Sequence, residues 1–269
     1  LEIVGAGTPS SGEMAAGVTT AATNAETPVE IPHKSIAVLP FVDLSPAHDH
    51  EYFSDGIAEE ILNALVKLRD LKVAGRTSSF SFKGRNEDLR GIGRTLAVAH
   101  VLEGSVRKHG DRVRITAQLI QTCDGYHLWS DNFDGDLSDV FELQERIAHA
   151  IARELDVLLH GQQRLVPVAT TDPEAYALYL EASSIYNRRD VAHLDYAAEM
   201  LTKAITLDPR FTRAYARLAS AHALQISNTD VDATTIIEAV KAEAAQASAL
   251  DPGLGEPYTA IALACDTVH

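Results

Sequence analysis

The chain has 269 residues, 46% of them hydrophobic and 23% charged, and its 38 acidic against 23 basic residues give a formal net charge of −15. A chain this acidic is repelled by nucleic acid and by anionic membrane surfaces, which argues against direct binding of either. The length corresponds to about two domains of roughly 150 residues, and the sequence contains no apolar run of about 18 residues that could span a bilayer. We therefore expect any membrane attachment to come from a segment outside this chain.

The N-terminal stretch, residues 1–33, is predicted to be a flexible linker. Residues 5–32 consist largely of Gly, Ala, Thr, Ser and Pro with no basic residue, so they offer too little apolar surface to offset the entropy of ordering. The stretch lacks the basic and apolar regions of a signal peptide. Because the chain begins with Leu1, we expect a fragment or a processed product.

Residues 34–160 are predicted to form an α+β domain, a sandwich of helices on a mixed sheet. The apolar run Ser35–Phe41 indicates a buried strand, and the spacing of apolar residues over Tyr52–Leu68 indicates a helix capped by Ser54 or Asp55. The remaining elements are a strand at 71–74, a short helix at 89–96, three antiparallel strands between 100 and 131, and a long amphipathic helix at 137–159.

Beyond a second linker at 161–171, residues 172–269 carry only helical patterns. Ala197, Leu201 and Ala204 precede the pair Asp208-Pro209, and Val240, Ala244 and Ala247 stand at the same phase before Asp251-Pro252. This internal repeat resembles tetratricopeptide repeats, in which small residues let paired helices approach closely. The two Asp-Pro pairs are 43 positions apart where that family repeats at about 34, so we expect a lengthened loop at 226–232 and a last repeat cut short at the C-terminus. A generic array of helical hairpins is the alternative.

The first half resembles the TolB-amino-terminal-like (FlgO-like) domain that precedes tetratricopeptide repeats in many bacterial proteins. The resemblance rests on blocks that occur in the family's order, namely Ser35–Phe41, Glu51–Ile57, Arg76–Phe80, Val101–Val106, Arg112–Ile120 and His127–Trp129. In that family the tandem follows a winged-helix DNA-binding domain or a class III adenylate/guanylate cyclase domain, often with one membrane helix between. The resemblance implies a sensory or interaction module in the extracytoplasmic, periplasmic part of an inner-membrane protein, with a cytoplasmic location as the alternative.

Catalytic and metal-binding patterns are weak throughout the sequence. Arg76, Thr77, Ser78 and Ser79 follow a predicted strand and are the best candidates for an anion-binding loop, although no Walker sequence accompanies them. Residues 90–95 contain Gly-x-Gly without the third glycine of a dinucleotide site, and 131–142 lack the oxygen ligands and turn glycine of a calcium loop. Residues 48–51 are interpreted as a solvated loop.

We therefore predict no catalytic site, cofactor or metal in this chain. The leading hypothesis is a non-enzymatic sensory or protein-interaction module that holds a peptide, a protein or a small cationic ligand through the groove of its helical repeats. The alternative hypothesis is the regulatory region of a class III cyclase or of a membrane-bound winged-helix regulator. The sequence does not predict the oligomeric state.

Overall fold

The structure is a computed structural model that describes residues 31–46, 50–157, 164–226 and 233–266. The predicted linker at 1–33 therefore lies almost wholly outside the described residues. In chain order the elements are β1 (Ser35–Val38), β2 (Val42–Asp43), α1 (Glu51–Val66), β3 (Lys72–Val73), α2 (Arg76–Phe80), α3 (Leu89–Leu96), β4 (His100–His109), β5 (Arg112–Gln121), β6 (His127–Asp136), α4 (Val140–Glu154), α5 (Pro173–Asn187), α6 (Leu194–Leu207), α7 (Thr212–Gln225), α8 (Ala233–Leu250) and α9 (Glu256–Asp266).

The strands form one mixed sheet in the order β3-β1-β4-β5-β6, with β2 beside β4. β1 pairs in parallel with β3 and β4, whereas β4, β5 and β6 are joined as an antiparallel meander. Gly110 (φ +58°) and Gly125 (φ +82°) occupy left-handed conformations in the two turns of the meander, where a side chain would be strained. The predicted mixed sheet is thus confirmed.

The predicted first strand is interrupted at Pro40. β1 ends at Val38, the Leu39 N–H still donates to the Leu102 carbonyl at 2.9 Å, and pairing with β4 resumes in β2. Proline has no N–H to donate, so the ladder cannot run through this position. The predicted strand therefore ends three residues early, and the short strand β2, which was not predicted, follows it beside the same partner.

Helix α1 begins earlier than predicted, at Glu51, and the predicted caps are wrong. Ser54 is buried within the helix, where its hydroxyl donates to the His50 carbonyl, and Asp55 is paired with Lys83 from the turn after α2. The apolar stripe of the helix, including Ile57, Ile61 and Leu65, is fully buried.

Helix α4 covers the same face of the sheet as α1. A single 3₁₀ turn at Leu137–Asp139 precedes it, and the left-handed residue Asp156 (φ +48°) follows its end, so the described helix is shorter than predicted. On the other face, α3 packs so closely that a Cβ at Gly93 would lie 2.3 Å from the Thr122 Cβ. Gly93 thus serves helix packing, whereas a Cβ at Gly91 would meet nothing closer than the Arg94 guanidinium at 3.9 Å.

The C-terminal region is helical, as predicted, and each of α5 to α8 packs on the helix that follows it. Helix α5 begins at Pro173, where the Asp172 carboxylate accepts hydrogen bonds from the N–H groups of Glu174 and Ala175, each at 2.9 Å. The small and apolar residues of the predicted repeat are buried, namely Ala197, Leu201, Ala204, Val240, Ala244 and Ala247. Their assignment to tetratricopeptide repeats stays a prediction, and 227–232 of the predicted long loop lie outside the described residues.

One hydrophobic core continues from the sheet into the helical region. It runs from the strands and α1 through α4 to Tyr176, Leu180 and Phe211 of the C-terminal region. Residues from Ile31 onward accordingly belong to one compact unit. None of the helices in the described ranges has the length and apolarity needed to cross a membrane.

Candidate functional site

Helix α1 belongs to the first half of the unit, which contains the sheet, and it also contacts the second half, which consists of the C-terminal helices. Glu59 and Glu60 point away from the sheet toward those helices. Glu60 is 5% exposed, and its Oε2 accepts a hydrogen bond from Nη1 of Arg213 on α7 at 2.5 Å. Glu59 Oε2 accepts from Arg76 Nε at 2.8 Å and from Asn187 Nδ2 at 3.0 Å. We call these five residues the α1 junction.

The four predicted anion ligands lie in or beside this junction without converging. Arg76 is held by Glu59, and its guanidinium carbon lies 4.2 Å from the centre of the Phe80 ring. Thr77 and Ser78 are exposed, while the Ser79 hydroxyl is buried with no hydrogen-bond partner among the described residues. An anion-binding role for this short helix stays a prediction.

The other metal and calcium candidates are dispersed. Asp131 to Asp136 belong to strand β6, and His48 and Asp49 lie outside the described residues. Within the described ranges, no group of three or more His, Cys, Asp or Glu side chains is placed to hold a metal ion.

An aromatic cluster packs next to the α1 junction. Tyr176 is fully buried, 4.6 Å from Phe141 of α4 and 6.4 Å from Tyr179 between ring centres, and its hydroxyl accepts from Gln144 Nε2 at 3.1 Å. Burial raises the pKa of Tyr176 well above its usual range and also raises that of Tyr179. Both phenols therefore stay protonated and neutral.

The two arginines of α7 at this site, Arg213 and Arg217, are largely buried and positively charged. Burial would lower the pKa of Arg213, but the attraction of Glu60 more than offsets burial and places this pKa well above its usual value. Arg217 is 8% exposed and donates to Glu256 Oε1 at 3.3 Å, and Tyr179 and Glu256 likewise outweigh burial in raising its pKa. Both guanidinium groups therefore stay charged at every pH at which the protein is folded.

The described part of the predicted second linker, 164–171, is held between α1 and α4 near its start. Lys67 Nζ donates to the Leu165 carbonyl at 2.6 Å. The Glu145 carboxylate accepts from the N–H groups of Leu165, at 2.9 Å, and Val166, at 2.5 Å. The segment thereby forms one wall of the space between the two halves.

We expect Glu145→Gln to release this segment. The amide side chain keeps one acceptor but turns an N–H₂ group toward the second donor, which should lower the free energy of unfolding by about 1–3 kcal/mol. Tryptic cleavage after the exposed Arg164 should accelerate, whereas Glu142→Gln, an exposed change on the same helix, should leave the rate unchanged. Equal cleavage rates for the two variants would contradict this account.

The same contact should depend on pH. Burial would raise the pKa of Glu145, but the two N–H donors and His149 outweigh burial and hold the pKa below its ordinary value of 4.5. A carboxyl group with a lowered pKa contributes stability above about pH 4.5, and this stability is lost as the pH falls through the folded-state value. The protection factors of the Leu165 and Val166 amides, which correct for the intrinsic slowing of exchange in acid, should therefore fall as the pH is lowered in the unmodified protein, and less so in Glu145→Gln.

A cleft of about 460 Å³ opens beside the buried ion pair. We call it the junction cleft; residues that line it are Glu60, Lys67, Pro167, Val168, Arg210, Arg213, Asp251, Leu254 and Glu256. Burial, with repulsion from Arg213, lowers the pKa of Lys67. The cleft thus combines charges of both signs with apolar surface, and both halves of the unit contribute to it.

Comparison with known families and proteins identifies relatives of the first half and of most of the chain. Residues 32–150 match the family described as HilA/YgeH-like transcriptional regulator, second domain. Over 198 residues, or 72% of this chain, the sequence is 38% identical to a protein of Rhizobium meliloti (strain 1021) named "Putative adenylate cyclase 3". The match covers 34% of that protein, so the chain spans about a third of the length of this relative.

Solved structures give more distant matches. TolB from Acinetobacter baumannii aligns with a TM-score of 0.33 and 13% identity, covering 45% of this chain and 28% of TolB. Lipoprotein GNA1162 from Neisseria meningitidis aligns with a TM-score of 0.33 and 20% identity, covering 38% of this chain and 80% of the lipoprotein. The sequence comparisons thus show a regulator-like domain at 32–150 in a chain that is similar to part of a protein named as an adenylate cyclase.

Proposed function

We propose that this chain is a non-enzymatic sensory and protein-interaction region of a larger bacterial signalling protein. The match of residues 32–150 to a regulator domain supports this role, as does the similarity to about a third of a protein named as a cyclase. The output domain is a cyclase domain or a winged helix elsewhere in the full protein. The C-terminal helices are tetratricopeptide-type repeats, and the region lies in the periplasm as part of an inner-membrane protein, with the cytoplasm as the alternative.

The junction cleft is the observation that carries this proposal, because both halves contribute to it. Glu60 lies in α1 and Lys67 directly follows it, and Val168 belongs to the connecting segment. Arg210 lies in the turn before α7, and Arg213 at the start of that helix. A peptide in the cleft contacts both halves at once. If it prefers one relative arrangement of the halves, binding shifts their equilibrium by its difference in affinity, and that shift is the signal.

The position of helix α1 also changes where we expect the partner to bind. Among the C-terminal helices, α5 and α7 are the ones whose Asn187 and Arg213 bond to α1. A partner peptide therefore meets the open cleft next to α1 rather than the surface of α5 and α7 that α1 covers. The mixed charges and apolar wall suit a peptide with both apolar and charged side chains.

Selection of binders from a displayed library of random 12-residue peptides tests the binding site. Selected peptides should bind the 269-residue chain, and Val168→Asp should weaken them by about tenfold or more. Val191→Asp is the matched control, because Val168 and Val191 are 46% and 45% exposed and only Val168 lines the cleft. Recovery of no binder, or of binders indifferent to Val168→Asp, would argue against the junction cleft.

The absence of enzymatic activity is tested separately. The purified chain, incubated with ATP or GTP and Mg²⁺, should form no cyclic nucleotide above the level of a heat-denatured sample. Turnover that persists on further purification and is lost in a destabilised variant would show that this region is itself an enzyme.

A further inference from the structure

A second and larger cleft lies on the opposite face of the sheet from α1. It encloses about 660 Å³ between the 39–43 segment, the turn at 82–85 and the strands β4 and β5. Glu103, Ser105, Thr116 and Gln118 form its floor, and we call it the sheet-face cleft. Leu102 and Leu119, their neighbours along the strands, face the main core instead. The volume is in the range of about 300–1,000 Å³ that small-molecule sites occupy.

Glu103 is the unusual residue of this cleft. It lies half-buried at the centre of β4, directly across from Gln118 on β5. Its carboxylate has no hydrogen-bond or ion-pair partner among the described residues. The other two carboxylates of the cleft are occupied: Asp43 accepts from the N–H groups of Ser45 and His50 at 2.8 and 2.9 Å, and Glu51 pairs with Lys83 at 2.9 Å. A half-buried carboxylate in a strand loses hydration without gaining a partner.

The groups around Glu103 indicate which kind of ligand its carboxylate would bind. Gln118 and Ser105 offer hydrogen bonds beside the carboxylate, and Phe82 and Pro40 supply apolar surface along the wall. Of the two basic residues at the rim, Lys83 is neutralised by Asp55 and Glu51. Arg85 is 57% exposed, lies 3.5 Å from Glu87, and places its guanidinium carbon 5.8 Å from the centre of the Phe82 ring. A cationic head can meet Glu103 while an aliphatic chain lies on the apolar wall.

We propose that the sheet-face cleft binds an organic cation, an amine or guanidinium on a ligand the size of a short peptide or polyamine, with Glu103 as its counter-ion. Arg85 at the rim distinguishes a peptide from a polyamine. It can pair with the terminal carboxylate of a peptide, whereas a polyamine has no acidic group for it to bind. This site lies across the sheet from the junction cleft and does not depend on the function proposed there.

Calorimetric titration of the 269-residue chain tests the proposal. The probes are the tripeptide glycyl-lysyl-glycine, the polyamine spermidine, and the same tripeptide with both amines acetylated. At least one cationic probe should bind, the acetylated tripeptide should not, and affinity should fall as salt is added. Stronger binding of the tripeptide that is lost in Arg85→Ala would identify the peptide class, and binding of spermidine indifferent to Arg85→Ala would identify the polyamine class.

Glu103→Gln is the decisive variant because it removes the charge and keeps the shape. It should weaken the cationic probe by about tenfold or more, as expected for loss of a charged hydrogen bond. Glu142→Gln, an exposed change outside the cleft, should have no effect, and neither should Val168→Asp. Ser105→Leu, which fills the cleft without changing charge, provides a second test if Glu103→Gln proves unstable. Absence of binding by both cations at 10 mM, or equal affinity in Glu103→Gln, would overturn the proposal.

Discussion

Replacing Arg213 by Met should destabilise the protein by about 3 kcal/mol in chemical denaturation. Loss of one partner of a buried ion pair leaves the other charge uncompensated, which costs about 3–5 kcal/mol. We expect the lower end of this range, because Lys67 also interacts with Glu60 and partly replaces the missing guanidinium. The methionine side chain replaces the aliphatic part of Arg213 but loses the cation–π contact with Tyr179, whose ring centre lies 5.5 Å from the guanidinium carbon.

Two comparisons separate the charge effect from general damage. Arg114→Met removes an arginine from the pair with Asp134, which is 2.6 Å long but exposed on the meander, and should cause no measurable loss of stability. The double variant Glu60→Met/Arg213→Met removes both buried charges and should be more stable than Arg213→Met alone. If Arg213→Met loses no more stability than Arg114→Met, the buried pair does not hold the two halves together.

Replacing Tyr176 by Ala should cost about 3–5 kcal/mol, the usual range for removal of a buried aromatic ring. This ring fills the space between α4 and α5 and is fully buried. Tyr176→Phe should cost about 1–3 kcal/mol, because it leaves the Gln144 amide donor without its acceptor. The matched control is Tyr258→Ala, since Tyr258 is 60% exposed and its loss should be close to neutral.

The shape of the unfolding curve carries further information about Tyr176. The unmodified protein should unfold in one transition, because a single core joins the sheet to α5, α6 and α7, and α8 and α9 pack on α7. In Tyr176→Ala, circular dichroism of the helices and fluorescence of Trp129 should separate into two transitions. A single shared transition in this variant would show that the remaining contacts of α1 suffice to couple the halves.

Local patterns predicted much of the fold because local physics determines it. The helix at 89–96 was predicted with the bounds that the structure has, since its apolar spacing is a local signal. The structure adds a cap at Asp88, which was not predicted. The last strand of the meander was predicted to end near residue 130 but continues to Asp136. Its second half is mostly polar, and it is held there by backbone pairing with β5 and by burial of Phe133 in the main core. Such cross-strand partners are invisible to a local pattern.

The α1 junction was not predicted, and its residues show why. Glu59 and Glu60 lie in the second half of α1, beyond the first turn, where acidic residues favour the start of a helix. The partner of Glu60 is 153 positions away in the chain. The available signal was weak: Glu60 is three positions after Ile57 and four before Ala64, both buried, so it shares the apolar stripe of α1.

The separation of Glu60 from Arg213 also has a consequence for biosynthesis. A ribosome that adds roughly 5–20 residues per second needs about 8–30 s to produce the intervening chain. The sheet and α1 are complete once Asp136 has been made, but until Arg213 follows, the surface that later meets α5 and α7 is open and Glu60 has no partner on it. We expect the unpaired carboxylate to keep this surface hydrated and to discourage contact between nascent copies until the junction closes.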